Sequence, residues 1–172
     1  SIHFESATPT NGALSFEIRV PAFRQESTPE GWAISFPGHP ILGAPGEPQV
    51  GGLAFLIPGR RGFAARVEWR GGEFEERTNF VVAPVAAFRR IHQDDTVFRD
   101  EWVRSTQSWV YAGREWWPQR QLDVEGGIMG TQQWVRLVCR PNQYRPDHQE
   151  LRAYQRIQGV LYWEGPAAAS KK

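Results

Sequence analysis

The stretch "TQQWVRLVCR", residues 131–140, has the two-residue periodicity of a β-strand. Val135, Leu137 and Cys139 fall on one face of an extended chain, because successive strand side chains point to opposite faces. The opposite face carries a mixed set: Trp134, Arg136, Val138 and Arg140. An apolar face of this kind has to be buried against another layer of structure. The stretch therefore predicts a long strand with one face in a core.

Segments with the same character lie on both sides of this stretch. They are residues 14–20, 32–36, 53–57, 63–69, 73–82, 107–112 and 151–164. The sequence PGRRG between residues 57 and 63 predicts that its two flanking strands form a hairpin. The sequence RGG at residues 70–72 predicts a turn into the next strand. Residues 141–150, PNQYRPDHQE, predict a loop with a turn at Pro146 and Asp147.

The order of these segments favours an all-β fold. Many short strands separated by Gly/Pro turns are typical of an antiparallel β-sandwich, here expected to be jelly-roll-like. No segment is a convincing amphipathic helix, and residues 95–104 are the best of the weak helical candidates. We expect one β-sandwich domain over residues 1–165 and a solvated tail or linker over residues 166–172.

The stretch "VVAPVAAFRRIHQDDTVFRDEWVR", residues 81–104, differs from these strands. It begins as a strand up to Pro84 and then predicts one long irregular loop. Arg89 and Arg90 are adjacent in it, and Asp94 and Asp95 follow. From the residues alone, the arginines are either a solvated pair balanced by the aspartates or a positioned charge. Exposed ion pairs contribute only ~0–1 kcal/mol to stability.

Composition excludes several classes of partner. The formal net charge of the 172 residues is +1, so we expect no nucleic-acid partner and no attachment to an anionic membrane. No apolar run approaches the ~20 residues that span a bilayer. The first residues, SIHFESATPTNG, lack the features of a signal peptide, so the chain is cytoplasmic or a signal has been removed.

Few residues indicate chemistry of their own. Cys139 is the single cysteine, and its register with Val135 and Leu137 favours a core position over a nucleophile. The four histidines lack metal-site spacing, and we expect neither a metal nor a cofactor. Trp116 and Trp117 are either a stacking platform for sugars or bases, or a core anchor with an edge cover. The platform would make the chain a carbohydrate-binding β-sandwich.

The sequence resembles the pro-domain of gingipain-type cysteine peptidases over residues 14–165. The motifs that carry the resemblance are the aromatic pair with proline at Trp116-Trp117-Pro118, Pro141, Tyr144-Arg145-Pro146, Leu151-Arg152-Ala153-Tyr154, the Ala83-Pro84 step, and GAPGEPQV at residues 43–50. The family has Tyr-Asn-Pro at the position of Tyr144-Arg145-Pro146, so Arg145 replaces the asparagine of the motif. The second proline of its Gly-x-Pro-x-Leu-Pro motif is replaced by Gly51 or Gly52, and Met129-Gly130 stands where Arg-Gly opens the long strand.

The resemblance implies a function and a partner. Such pro-domains are β-sandwiches that assist folding of a caspase-like cysteine peptidase domain and hold it latent, and they are not enzymes. The resemblance also implies export, with the chain secreted, periplasmic or extracellular after signal removal. Family pro-domains present a basic loop residue, after the Ala-Pro step, to the peptidase's specificity pocket.

That position makes Arg89 or Arg90 the candidate pocket residue, flanked by Phe88, Ile91 and His92. Arg99 and Arg104 lie in the same segment and remain alternatives.

Overall fold

The computed structural model describes residues 1–4, 12–94, 97–106, 109–129 and 131–165. The expected tail, residues 166–172, lies outside them. The strands in chain order are β1 (Ile2–Phe4), β2 (Ala13–Arg19), β3 (Arg24–Thr28), β4 (Gly31–Ser35), β5 (Leu53–Pro58), β6 (Ala64–Arg77), β7 (Ala87–Asp94), β8 (Val97–Val103), β9 (Leu122–Met129), β10 (Gln132–Cys139), β11 (Asn142–Arg145) and β12 (Glu150–Glu164). One helical turn, α1 (Trp109–Ala112), and a 3-10 turn (Pro146–His148) complete the described elements.

Two antiparallel sheets form the body. In the larger sheet, β12 pairs with β6 along one edge and with β2 and β11 along the other, and β1 extends the sheet beyond β2. In the smaller sheet, β10 lies between β5 and β9. The remaining strands form two separate pairs, β3 with β4 and β7 with β8. The predicted all-β class is confirmed, and the arrangement is that of a β-sandwich.

The main core lies between the two sheets. Phe16 and Ile18 of β2 and Ile157 and Leu161 of β12 meet residues of the smaller sheet there. The face predicted from residues 131–140 is confirmed, because Val135, Leu137 and Cys139 are all buried. Burial of each large apolar side chain contributes about 1.5–3 kcal/mol. A second core cluster consists of Ile34, Val50, Phe80, Val82, Tyr144 and Leu151.

Two predictions around residues 53–77 are wrong. β5 and β6 do not form a hairpin, because β5 pairs with β10 and β6 pairs with β12 in the other sheet. RGG is not a turn, because β6 continues through it as far as Arg77. The register shifts there, so that Gly71 faces Gln158 while Trp69 faces Gly159. A glycine inside a strand accommodates this kind of β-bulge.

Three further segments differ from expectation. Residues 109–112 form the helical turn α1 and not a strand. Residues 97–103, within the helical candidate 95–104, form the strand β8. The expected loop after Pro141 contains the strand β11, while the turn at Pro146 is confirmed. No helix of the described residues has the length and apolarity that a membrane crossing needs.

Candidate functional site

Most of the segment expected to be one long irregular loop forms two antiparallel strands, so that prediction is wrong. Residues 95 and 96, which connect the strands, lie outside the described residues. β7 and β8 pair from Ala87 opposite Val103 to Asp94 opposite Val97, with a register shift after His92. Among the described residues, the two strands pair only with each other. We call this element, residues 87–103, the arginine hairpin.

Hydrogen bonds to the body anchor the base of the arginine hairpin. The Val85 amide donates to the Glu47 carbonyl at 2.7 Å, and the Gly46 amide donates to the Val85 carbonyl at 2.9 Å. The Gln49 amide donates to the Ala83 carbonyl at 2.8 Å. Val82, Ala83 and Val85 are buried. The hairpin therefore projects from a fixed base.

The pairing register divides the hairpin side chains between two faces, since directly opposite residues of an antiparallel pair share a face. The basic face carries Ala87, Arg89, Ile91, Arg99, Glu101 and Val103. The aromatic face carries Phe88, Arg90, His92, Phe98, Asp100 and Trp102. Arg89 and Arg90 are adjacent in sequence but point in opposite directions, so a single pocket cannot receive both from one side.

Arg90 is held by Asp100 on the aromatic face. Its Nε donates to Asp100 Oδ1 at 2.9 Å and its Nη2 donates to Asp100 Oδ2 at 3.3 Å. This two-point contact holds the pKa of the Asp100 carboxyl below its ordinary value and raises the pKa of Arg90. Both side chains are solvent-exposed, so the pair fixes geometry and adds little stability.

Arg89 and Arg99 are exposed on the basic face. Neither guanidinium has an ion-pair partner within the described residues, although the register brings Glu101 opposite Arg89. Arg89 lies two residue pairs from the anchored end, whereas Arg99 lies nearer the tip. Arg89 also lines a groove of about 470 Å³ between the hairpin and residues 44–47.

Arg104 lies at the base of the hairpin. Its Nη1 donates to Gln49 Oε1 at 2.8 Å and to the Pro84 carbonyl at 2.5 Å. The side chain is half-buried, so it fastens the returning chain to the body. The four arginines therefore differ in their surroundings. Arg90 is bound to Asp100, and Arg104 is bound to the body. Arg89 and Arg99 are exposed on the basic face.

The two tryptophans of the proposed platform have other contacts. The guanidinium of Arg152 lies 4.0 Å from the Trp116 ring centroid, and that of Arg145 lies 5.0 Å from it. Trp117 exchanges backbone hydrogen bonds with Tyr144 and packs against the second core cluster. Both indoles also line a cavity of about 460 Å³ beside α1. Because arginine occupies a ring face of Trp116, that face is closed to a sugar.

Cys139 is unsuited to nucleophilic catalysis. The side chain is fully buried in the main core, and this burial raises the pKa of its thiol far above the ordinary value. A reactive thiol needs an exposed, electropositive setting that lowers its pKa. No group of three His, Cys, Asp or Glu side chains among the described residues is arranged to hold a metal ion.

Three hairpin residues were not singled out from the sequence: Phe98, Asp100 and Trp102. They alternate with Val97, Arg99 and Glu101, which is the strand periodicity that identified β10. The signal was therefore present in VFRDEWV. The charged residues on both faces made the segment resemble a loop.

Comparison with known proteins gives a fold likeness. No family model matches the chain, and no curated protein matches it. A solved structure described as a complex of the pro- and mature domains of RgpB from Porphyromonas gingivalis matches with a TM-score of 0.74. The alignment covers 98% of this chain and 88% of that chain at 18% identity. A structure concerning zymogenic latency of gingipain K from Porphyromonas gingivalis has a TM-score of 0.70. There the coverage is 95% of this chain and 92% of that chain, at 16% identity.

Proposed function

We propose that this chain is the pro-domain of a gingipain-type cysteine peptidase, which it helps to fold and holds latent. The fold likeness to structures of gingipain pro-domain complexes and zymogens supports the role, and nearly the whole of each matched chain is covered. The observation that carries the mechanism is the arginine hairpin. Within the described residues Arg89 has no ion-pair partner, and it stands on a ribbon whose base is anchored to the body.

The proposed partner is the caspase-like catalytic domain of the same precursor, outside the cell or in the periplasm. Arg89 enters the specificity pocket of that domain. An arginine offers a planar fork of donors that matches a carboxylate at two points, so it suits a pocket selective for basic residues. One arginine buried and paired in this way can dominate an interface.

Arg89 suits this role better than its neighbours. Moving Arg90 into the pocket would break its contact with Asp100 and leave that carboxylate beside an acidic pocket. Moving Arg104 would release its two contacts at the hairpin base. Arg99 is also exposed, but it lies farther from the anchored end. Inhibition requires rigid placement, because a shift of ~1 Å can change a rate by ~100-fold.

The geometry of the hairpin leads us to expect that the domain resists cleavage after Arg89. The bond after Arg89 leads to Arg90, whose side chain is clamped across the ribbon to Asp100. The backbone on both sides of that bond is paired with β8. A peptidase that receives Arg89 thus meets a bond held in a fixed, paired conformation. The domain would occupy the active site without being turned over.

The test uses the purified mature peptidase domain of the same precursor and a small arginyl substrate. We expect the wild-type domain to inhibit and Arg89→Ala to raise the inhibition constant at least tenfold, about 1.4 kcal/mol. Arg99→Ala is the matched control, since it removes an exposed arginine from the same face, and we expect a change of less than about threefold. A loss confined to Arg99→Ala would reassign the pocket residue. Absence of inhibition by the wild-type domain would refute the function.

A further inference from the structure

The aromatic face of the arginine hairpin exposes three aromatic rings around the Arg90–Asp100 ion pair, and the basic face does not explain them. Phe88 is 52% exposed, Phe98 is 51% exposed and Trp102 is 71% exposed. Twelve large hydrophobic side chains of the described residues are exposed, and three of them, Phe88, Phe98 and Trp102, lie together on this face. Isolated exposed apolar residues are ordinary, but clustered ones mark interaction sites.

The aromatic side chains form an ordered row. The Phe88 and Trp102 rings meet edge to face with centroids 5.3 Å apart. The His92 and Phe98 rings meet with centroids 4.4 Å apart. Between these pairs lies the clamp, and the Arg90 guanidinium is 5.7 Å from the centroid of the Phe98 ring. Arg90 and Asp100 thereby set the spacing of the row and are positioning residues.

The body of the domain leaves this surface uncovered. Within the described part of the chain, β7 and β8 pair with each other and with no other strand. A two-stranded ribbon alone is marginally stable in water, and an uncovered apolar face adds a cost. The face is therefore built for an occupant outside the domain.

The aromatic face lies on the same hairpin as Arg89, and the peptidase proposed to receive Arg89 needs more contact area than one side chain provides. A standard interface buries about 800 Å² on each partner, which one arginine in a pocket cannot supply. Aromatic side chains bury about 150–250 Å² each, so three that are half or more exposed offer about 300–400 Å². The ribbon is only two strands wide, so a cleft that receives Arg89 from the basic face also borders the aromatic face.

We propose that the aromatic face, formed by Phe88, Phe98 and Trp102, is a second contact with the cysteine peptidase, packing on an apolar wall of the cleft that receives Arg89. This rests on the proposed function and extends it. The two faces contribute differently to binding. The basic face provides the charge that the pocket recognises, and the aromatic face provides apolar area that is buried in the complex. Trp102 is the main anchor because it is the largest and most exposed of the three.

The experiment measures association and dissociation rates of the full chain on immobilised mature peptidase domain of the same precursor. Trp102→Ala should raise the dissociation rate constant at least tenfold, because truncation of a buried aromatic anchor acts mainly on dissociation. The loss should persist at high salt, whereas the loss in Arg89→Ala should depend on salt. Leu56→Ala is the matched control, since Leu56 is 55% exposed on β5 of the body. Circular dichroism verifies that each variant is folded.

Each outcome decides between the two proposals. Weakening by both Trp102→Ala and Arg89→Ala, with Leu56→Ala unchanged, supports both. Weakening by Arg89→Ala alone overturns the aromatic contact and leaves the proposed function intact. No binding by the wild-type chain overturns the proposed function, and the aromatic contact with it. Self-association in sedimentation that Trp102→Ala abolishes, without an effect on peptidase binding, assigns the face to a second copy and overturns the inference.

Discussion

At the scale of single residues, Arg89 and Arg90 show how one peptide bond separates two roles. Strand geometry sends their side chains to opposite faces of the hairpin. Asp100 lies opposite Arg90 and accepts hydrogen bonds from its guanidinium. The guanidinium of Arg89 has no ion-pair partner within the described residues. The contact between Arg90 and Asp100 lies one residue beyond the bond that a peptidase holding Arg89 would cut. Under the proposed function, we expect this clamp to slow cleavage of the bond between Arg89 and Arg90.

This arrangement predicts the effect of removing the clamp. Asp100→Ala should convert the domain from an inhibitor into a substrate, with cleavage after Arg89 at least tenfold faster, because a looser strand can adopt the reactive geometry. Mass spectrometry of timed digests with the peptidase measures the cut. Glu101→Ala is the control, because Glu101 is an acidic residue next to Asp100 that lies on the basic face and not on the face of Arg90. Equal resistance of Asp100→Ala and the wild-type domain would contradict the role of the clamp.

At the scale of elements, the long strands β6 and β12 depend on glycines at their register shifts. A Cβ on Gly159 would lie 2.5 Å from a ring carbon of Phe16 and 3.0 Å from Leu122 Cδ1. A Cβ on Gly72 would lie 2.7 Å from the ring of Tyr154. These positions let the sheet bend over the core while side chains of neighbouring strands fill the space.

Gly159→Ala should therefore destabilise the domain. The added methyl has to displace core side chains, and overpacking of this kind costs about 1–3 kcal/mol. Urea denaturation measures the change in the free energy of unfolding. Gly126→Ala on β9 is the matched control, because nothing lies within 4 Å of the added Cβ and little change is expected. Equal destabilisation by both substitutions would show that the cost comes from the strand backbone and not from the core.

Periodicity predicted faces well and strand partners poorly. The buried faces of β2 and β10 follow directly from alternating residues, because burial depends on the local period of two. The supposed hairpin of β5 and β6 failed because pairing across two sheets depends on distant residues, on β10 and β12. The sequence of residues 109–112 favours a strand, but the structure has a helical turn there. From this turn the Tyr111 hydroxyl donates a hydrogen bond to the Val82 carbonyl. Tertiary contact overrides local propensity there.

The sequence limits the candidate site to one segment and leaves the choice of residue open. The resemblance placed the basic residue between 85 and 104, and the residues alone left four arginines open. Only the register of β7 against β8 separates Arg89 from Arg90, and that register is a long-range property of the hairpin. The roles that we propose for Asp100 and Trp102 depend on the same pairing. Sequence alone could not assign them.

At the scale of the whole molecule, the domain combines a rigid body with one projecting element. The two-sheet core fixes the base of the hairpin through buried residues and backbone hydrogen bonds. The hairpin itself contributes little to that core and exposes charge on one face and aromatic rings on the other. Binding residues often lie on exposed segments that a rigid scaffold positions. We expect this element to occupy the specificity pocket of the peptidase.

Steady-state kinetics of the mature peptidase domain with a small arginyl substrate test this claim most directly. If Arg89 occupies the specificity pocket, the domain and the substrate exclude each other. Increasing concentrations of the domain should then raise the apparent KM linearly and leave kcat unchanged. A fall in kcat at constant KM would contradict the account, because it would place the domain elsewhere on the peptidase.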